Sequence, residues 1–285
     1  MNSENSRAEF RLAPWLWVAG MGLLLAVIYA PLVLWLGRVS WQVTQLTNGA
    51  LLVVFALLIG LRSVWDEARP APEVNGPGLG WIGAGLALAV VPRLVPVPVV
   101  PVLTLSFCCA VAGMVGLVFG ARGIRAVRPA LAGLFVFGIV IGWFPTLDWP
   151  LRALAGRYAA WLLRSLEVPV ELSVMLGGPP QLVLSVQGRN YIVATECNGF
   201  GLLVSAILLA TMIGVAYRLP WGARIGLWMV AVPVAIGANF LRIVSICLVA
   251  PQVPVSYHVV HEVLGNVFYF GGLVLIWLLA RPHRV

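Results

Sequence analysis

The strongest constraint on this chain is a series of long apolar runs that carry almost no charge. Hydrocarbon offers backbone N–H and C=O groups no partner. A segment that crosses it must satisfy them internally, as a helix of about 20 apolar residues does. The runs predict helices over residues 14–36, 49–65, 79–95, 101–119, 129–147, 198–217, 225–249 and 259–280. The expected fold is an all-α polytopic membrane protein of about eight transmembrane helices, with residues 1–285 forming one domain. Only 10% of the residues are charged, against about 25% in soluble domains, so an ordinary water-soluble globule is excluded. The first run is too long for a cleavable signal and lacks a clear small-residue cleavage site.

All eighteen basic residues are Arg, and the net charge is +8. The arginines are dispersed between apolar runs rather than clustered, which points to membrane orientation and away from nucleic acid. With the N-terminus inside, eleven of them fall in inside segments and six in outside segments; Arg242 lies within a span. The bias predicts both termini in the cytoplasm, with Arg122, Arg125 and Arg128 in an inside loop.

Residues 148–196 form the one long stretch that does not span, and the same count places it outside. Trp149 to Leu166 reads as an amphipathic helix. Arg152, Arg157 and Arg164 can snorkel while Leu151, Leu154, Trp161, Leu162 and Leu166 face acyl chains. Next come the alternating runs 171–175, 182–186 and 191–193, with Gly-Gly-Pro-Pro at 177–180. They predict a small β-hairpin on the outer membrane face.

Three polar features then fall at one depth, the outer ends of the last three spans. Cys197 opens the sixth helix, where the dipole and free N–H groups favour a thiolate or hold an oxyanion. Glu196 opposes the thiolate unless it points away; Asn198 and Gly199 follow, and Gly199 permits close backbone approach. Arg242 costs on the order of 2.5–3.5 kcal/mol at membrane depth, so it marks a functional interior. Asn239 lies at i−3 on the same face, and the pair suits a carboxylate, a carbonyl oxyanion or a lipid phosphate. His258 and His261 share a face of the last helix. Gly265 and Phe268 continue the face of His261, which makes room for a neighbouring helix. The bland alternatives are a buried small hydrophobe for Cys197, snorkelling for Arg242 and interfacial hydrogen bonding for the histidines. No metal-ligand spacing appears, even counting Glu262, so neither metal nor cofactor is expected. Together the residues read as a Cys–Arg–His acyl-transfer site facing outward.

Cys197-Asn198-Gly199, Asn239-Phe-Leu-Arg242 and His261-Glu-Val-Leu-Gly265 running on to Tyr269 resemble the exosortase/archaeosortase family of membrane-embedded sorting transpeptidases. Trp41 and Thr47-Asn48-Gly49 resemble a weak form of that family's Ser-His-Gly element. Asn198 and Glu196 depart from its commoner Ser and small residue. The resemblance implies one exosortase-like domain, with Cys197 as nucleophile, Arg242 as oxyanion stabiliser and His261 as general acid/base. Asn239, Asn198, Gly199, His258 and Glu196 would contact substrate. The implied partners are membrane lipid and exported proteins with a C-terminal Pro-Glu-Pro-like motif (PEP-CTERM-like), a hydrophobic helix and an Arg-rich tail. The implied acceptor is a lipid or glycan, and the implied location is the inner (plasma) membrane. Two other readings stay open here: a carrier with Arg242 as its anion site, and an accessory subunit of polysaccharide or lipid assembly.

Overall fold

The computed structural model describes residues 3–42, 44–67, 76–175, 181–193 and 199–280. The side chains of 3–14, 42, 44, 45, 66, 67, 144 and 145 are outside that description. In chain order the elements are α1 (Ser3–Gln42), α2 (Thr44–Glu67), α3 (Gly76–Leu94), α4 (Val99–Ser165), β1 (Val170–Met175), β2 (Gln181–Val186), β3 (Arg189–Val193), α5 (Phe200–Ala216), α6 (Trp221–Val249) and α7 (Tyr257–Ala280).

Among the described residues, six helices are long and apolar enough to cross a membrane. One of them, the apolar part of α4 at Val99–Trp143, has 45 residues. At 1.5 Å per residue that is about 68 Å, more than twice a hydrocarbon core. The chain breaks it at Gly120 (φ 65°, ψ −159°), a conformation open only to glycine. On either side of the break the two arms run back along each other. A Cβ on Gly138 would collide with Thr104, and the Cys108 thiol donates to the Leu131 carbonyl at 3.4 Å. The expected inside loop is therefore replaced by a reversal at one glycine. Arg122, Arg125 and Arg128 lie in the first turns of the returning helix. Counted as two arms, and with the 17-residue α5 added at the short end of the spanning range, the apolar helical segments among the described residues number eight.

The chain forms two compact units, 1–43 with 50–142, and 44–49 with 143–285. In the first, small residues let helices approach closely. A Cβ on Gly60 would stand 2.8 Å from the Ala126 carbonyl oxygen, and one on Gly85 2.8 Å from that of Ser106. Ser106, fully buried, donates to the Gly85 carbonyl at 2.7 Å. A hydroxyl has one proton, so the Tyr29 hydroxyl is the donor in its 2.6 Å bond to Ser106 Oγ.

In the second unit the sheet is antiparallel in the order β1-β2-β3. The expected hairpin gains a third strand because Gln187 (φ 51°) and Gly188 (φ 77°) turn β2 into β3. Two consecutive positive φ values are those of a type I′ turn, whose twist matches the flanking strands. The Gly-Pro turn expected at 177–180 lies outside the described residues. Leu182, Leu184, Val186, Tyr191 and Val193 form one buried face. It packs on Ala155, Ala159, Ala160 and Leu163 of α4 and on Ile243, Val244 and Cys247 of α6. Each Leu or Val of that sheet face, fully buried, contributes roughly 1.5–3 kcal/mol.

This packing corrects the amphipathic reading. Residues 149–165 continue α4 without a break. Trp161 and Leu166 do face outward, at 61% and 52% exposure. Leu162 instead packs against the sheet core, and Leu151 and Leu154 line a groove against α6. The alanine face made this possible: it is flat enough for a sheet, and periodicity alone did not distinguish it from a lipid-facing one. α5, α6 and α7 meet through Ala206, Ala210, Ala231, Ala235 and Ile276.

Candidate active site

α5 begins at Phe200, with Gly199 as its N-cap, two residues later than expected. Gly199 has φ 78° and ψ 1°, a left-handed conformation that L side chains resist. It is also pressed against α6, since a Cβ there would lie 2.7 Å from Asn239 Cγ and Nδ2. Conformation and crowding both demand glycine at this position. Asn239 is only 4% exposed, so its amide is held beneath the start of α5. Glu196, Cys197 and Asn198 lie outside the described residues; Cys197 stands two residues before Gly199 in the chain.

One turn further along α6 is Arg242, whose Nη2 lies 3.2 Å from Nε2 of His261 on α7. A guanidinium has no acceptor. Nε2 therefore accepts, and the proton of the neutral ring sits on Nδ1. Nδ1 is 3.8 Å from Glu262 Oε1, within reach of the charge but too far for a hydrogen bond. Gly265 completes the fit: a Cβ would stand 3.0 Å from Arg242 Nη2 and 3.3 Å from Cζ. The small position four residues after His261 thus receives the guanidinium itself, where a helix had been expected to pack.

The imidazole has a second neighbour. The Tyr257 ring lies 5.8 Å from it at 38°, and Tyr191 of β3 lies 5.9 Å from Tyr257 at 42°. His258, expected alongside, is exposed and does not line the cavity that the other residues surround. Tyr269 in the wall of that cavity is hydrogen-bonded to Ser205 at 2.6 Å, and Asn48 lines the same cavity.

The cavity holds about 160 Å³ and is lined by Asn48, Gly199, Asn239, Arg242, His261, Glu262 and Gly265, among others. Gly199 and Asn239 also border a second, largely apolar groove of about 390 Å³ between α4 and α6. The structure brings together Gly199, Asn239, Arg242 and His261, leaves His258 aside, and adds Asn48, Tyr257 and Tyr191. Tyr257 carried a legible signal, its i−4 spacing from His261. Tyr191 carried none, because only the β2–β3 register and the sheet packing place it there. The arrangement offers a cation, a neutral base with a defined tautomer, and the start of a helix, all converging on one polar cavity.

A family model described as Transmembrane exosortase matches residues 41–278, most of the chain and all of the site residues named above. No curated protein and no solved structure matches. The chain is a multi-pass membrane protein that belongs to the transmembrane exosortase family of membrane-embedded sorting transpeptidases.

Proposed function

We propose that this protein is a cysteine transpeptidase that cleaves the C-terminal sorting signal of exported proteins and transfers them to a lipid or glycan acceptor. The observation that carries the reading is the 3.2 Å Arg242–His261 contact in a cavity whose wall includes Gly199, two residues from Cys197. Two residues of chain reach at most about 7 Å.

In this mechanism the Cys197 thiol gives its proton to His261 Nε2 as its sulfur attacks the carbonyl of the scissile peptide bond. Arg242 and the N–H groups at the start of α5 stabilise the oxyanion. The C–N bond breaks, the leaving amine takes a proton, and a thioester remains. An acceptor hydroxyl or amine then attacks the thioester, releases the sulfur and passes its proton to the base. His261 carries these protons on Nε2. Because Arg242 holds Nε2 in the resting site, the guanidinium turns from the ring to the carbonyl oxygen as substrate enters. Asn239 and Asn48 contact the substrate backbone, and the apolar groove takes its hydrophobic segment. A tethered substrate searches in two dimensions, and binding of its helix positions the bond. The site faces the extracytoplasmic side of the inner membrane, both termini being cytoplasmic.

The test is co-expression with a substrate that carries a Pro-Glu-Pro-like motif, a hydrophobic helix and an Arg-rich tail. Wild type shortens it on a gel, and Cys197→Ala does not. Equal shortening by both would make Cys197 structural and move the carrier and accessory roles ahead. For orientation, an impermeant thiol reagent added outside labels Cys197 before Cys247, which is 2% exposed. Equal labelling from both sides would undo the topology.

A further inference from the structure

From the ring geometry we infer that Tyr257, backed by Tyr191, is a positioning residue that holds the His261 imidazole in line with Arg242. The inference rests on the proposed role of His261 as the base.

Three observations carry it. Tyr257 opens α7 and stands one turn before His261, so both rings project from one face of the helix. The centroid distances of 5.8 and 5.9 Å lie inside the 4.5–7 Å range of attractive aromatic pairs. The far end of the series is anchored, since Tyr191 is 9% exposed and belongs to the core that joins the sheet to α4 and α6. Tyr257 is itself 46% exposed. An exposed ring that adds little to the core is better explained by what it touches. The imidazole is thus limited by Tyr257 on one side and by the Arg242 bond at Nε2. The Glu262 carboxylate, 58% exposed, stands farther off, at 3.8 Å from Nδ1. Without the ring, the imidazole can turn about its χ2 bond and take Nε2 away from the cavity.

A base that must move a proton loses rate when it is misaligned by even a fraction of an ångström, while substrate affinity is untouched. Tyr257→Ala is therefore expected to lower kcat about tenfold with little change in KM. Tyr257→Phe restores it, because the ring and not the hydroxyl makes the contact. Tyr191→Leu falls between the two.

The experiment uses the full-length protein in lipid nanodiscs and a peptide with the family-type tail. It compares wild type, Tyr257→Ala, Tyr257→Phe, His261→Ala and the double variant Tyr257→Ala/His261→Ala, with slow variants followed over long incubations. The expected result is the kcat loss, its rescue by Phe, and no further loss when Tyr257→Ala is added to His261→Ala. Three results would overturn the inference: a change in KM alone, no rescue by Phe, or an undiminished Tyr257→Ala effect without His261. Wild-type kcat in Tyr257→Ala beside an impaired His261→Ala removes the positioning role and leaves the base. Full activity in His261→Ala removes the base, and the positioning role with it.

Discussion

In the unit built from 1–43 and 50–142, Tyr29 donates to Ser106, Ser106 donates to the Gly85 carbonyl, and Thr104 donates to the Val100 carbonyl. Every proton named has its acceptor within the protein, and Ser106 and Thr104 are both fully buried. In the unit built from 44–49 and 143–285, Asn239, Arg242 and His261 instead converge on a cavity. Both units place polar groups inside apolar helices, where each costs free energy unless satisfied. One closes them into helix-to-helix ties. The other ties Arg242 to His261 as well, but around a cavity that a further molecule can enter. Polarity at membrane depth therefore marks a site only when geometry leaves it open.

The largest expected effect separates the open polarity from the closed. Arg242→Lys is expected to lose on the order of 10²-fold in processing rate, the scale for removing an oxyanion donor. An ammonium keeps the charge but cannot reproduce the guanidinium fork. A rate within a few fold of wild type, measured on folded protein, would place Arg242 among structural ties like Ser106.

A middle-sized effect compares two glycines of the second unit that share a conformation. Gly199 and Gly188 have φ near 78° and 77°. A Cβ on Gly199 meets Asn239 at 2.7 Å, while one on Gly188 meets nothing within 4 Å. Each alanine substitution carries about 1–2 kcal/mol of left-handed strain. Gly199→Ala also displaces Asn239 and is expected to cost roughly tenfold or more in processing. Gly188→Ala is expected to lower the melting temperature by a few degrees and leave processing per folded molecule unchanged. Equal activity losses would show that strain alone, and not the contact with Asn239, matters at Gly199.

The smallest effect belongs to the closed network. Ser106→Ala strands the Tyr29 hydroxyl and the Gly85 carbonyl, at a cost of about 1–3 kcal/mol in stability. It is expected to lower the thermal midpoint in detergent without changing kcat. A catalytic defect at wild-type stability would break the division between the two units.

Much of this protein was legible before any coordinates. The apolar runs named the spans, because a lipid environment leaves the backbone only one economical solution at that length. The i, i+3 and i+4 spacings of Asn239 with Arg242 and of His261 with Gly265 put each pair on one helix face, because helix geometry is local. The reversal between the fourth and fifth spans was legible, but its closure at a single residue, Gly120, was not: a glycine beside an apolar run looks the same whether it packs, bends or folds the helix back. The run at 191–193 was legible as strand-like, but the turn that pairs it with β2 hung on the positive φ of Gln187, a residue type that gives no warning of it. The resemblance named His261, but helix spacing alone did not separate it from His258, since both sit on the same face one turn apart. Tertiary structure sets the two apart, because Arg242 arrives from another helix and meets His261, while His258 is exposed and does not line the cavity. Patterning along one chain determines which elements form and which faces are apolar. Which polar groups meet, and whether they close on each other or stay open to a ligand, depends on contacts between elements far apart in sequence.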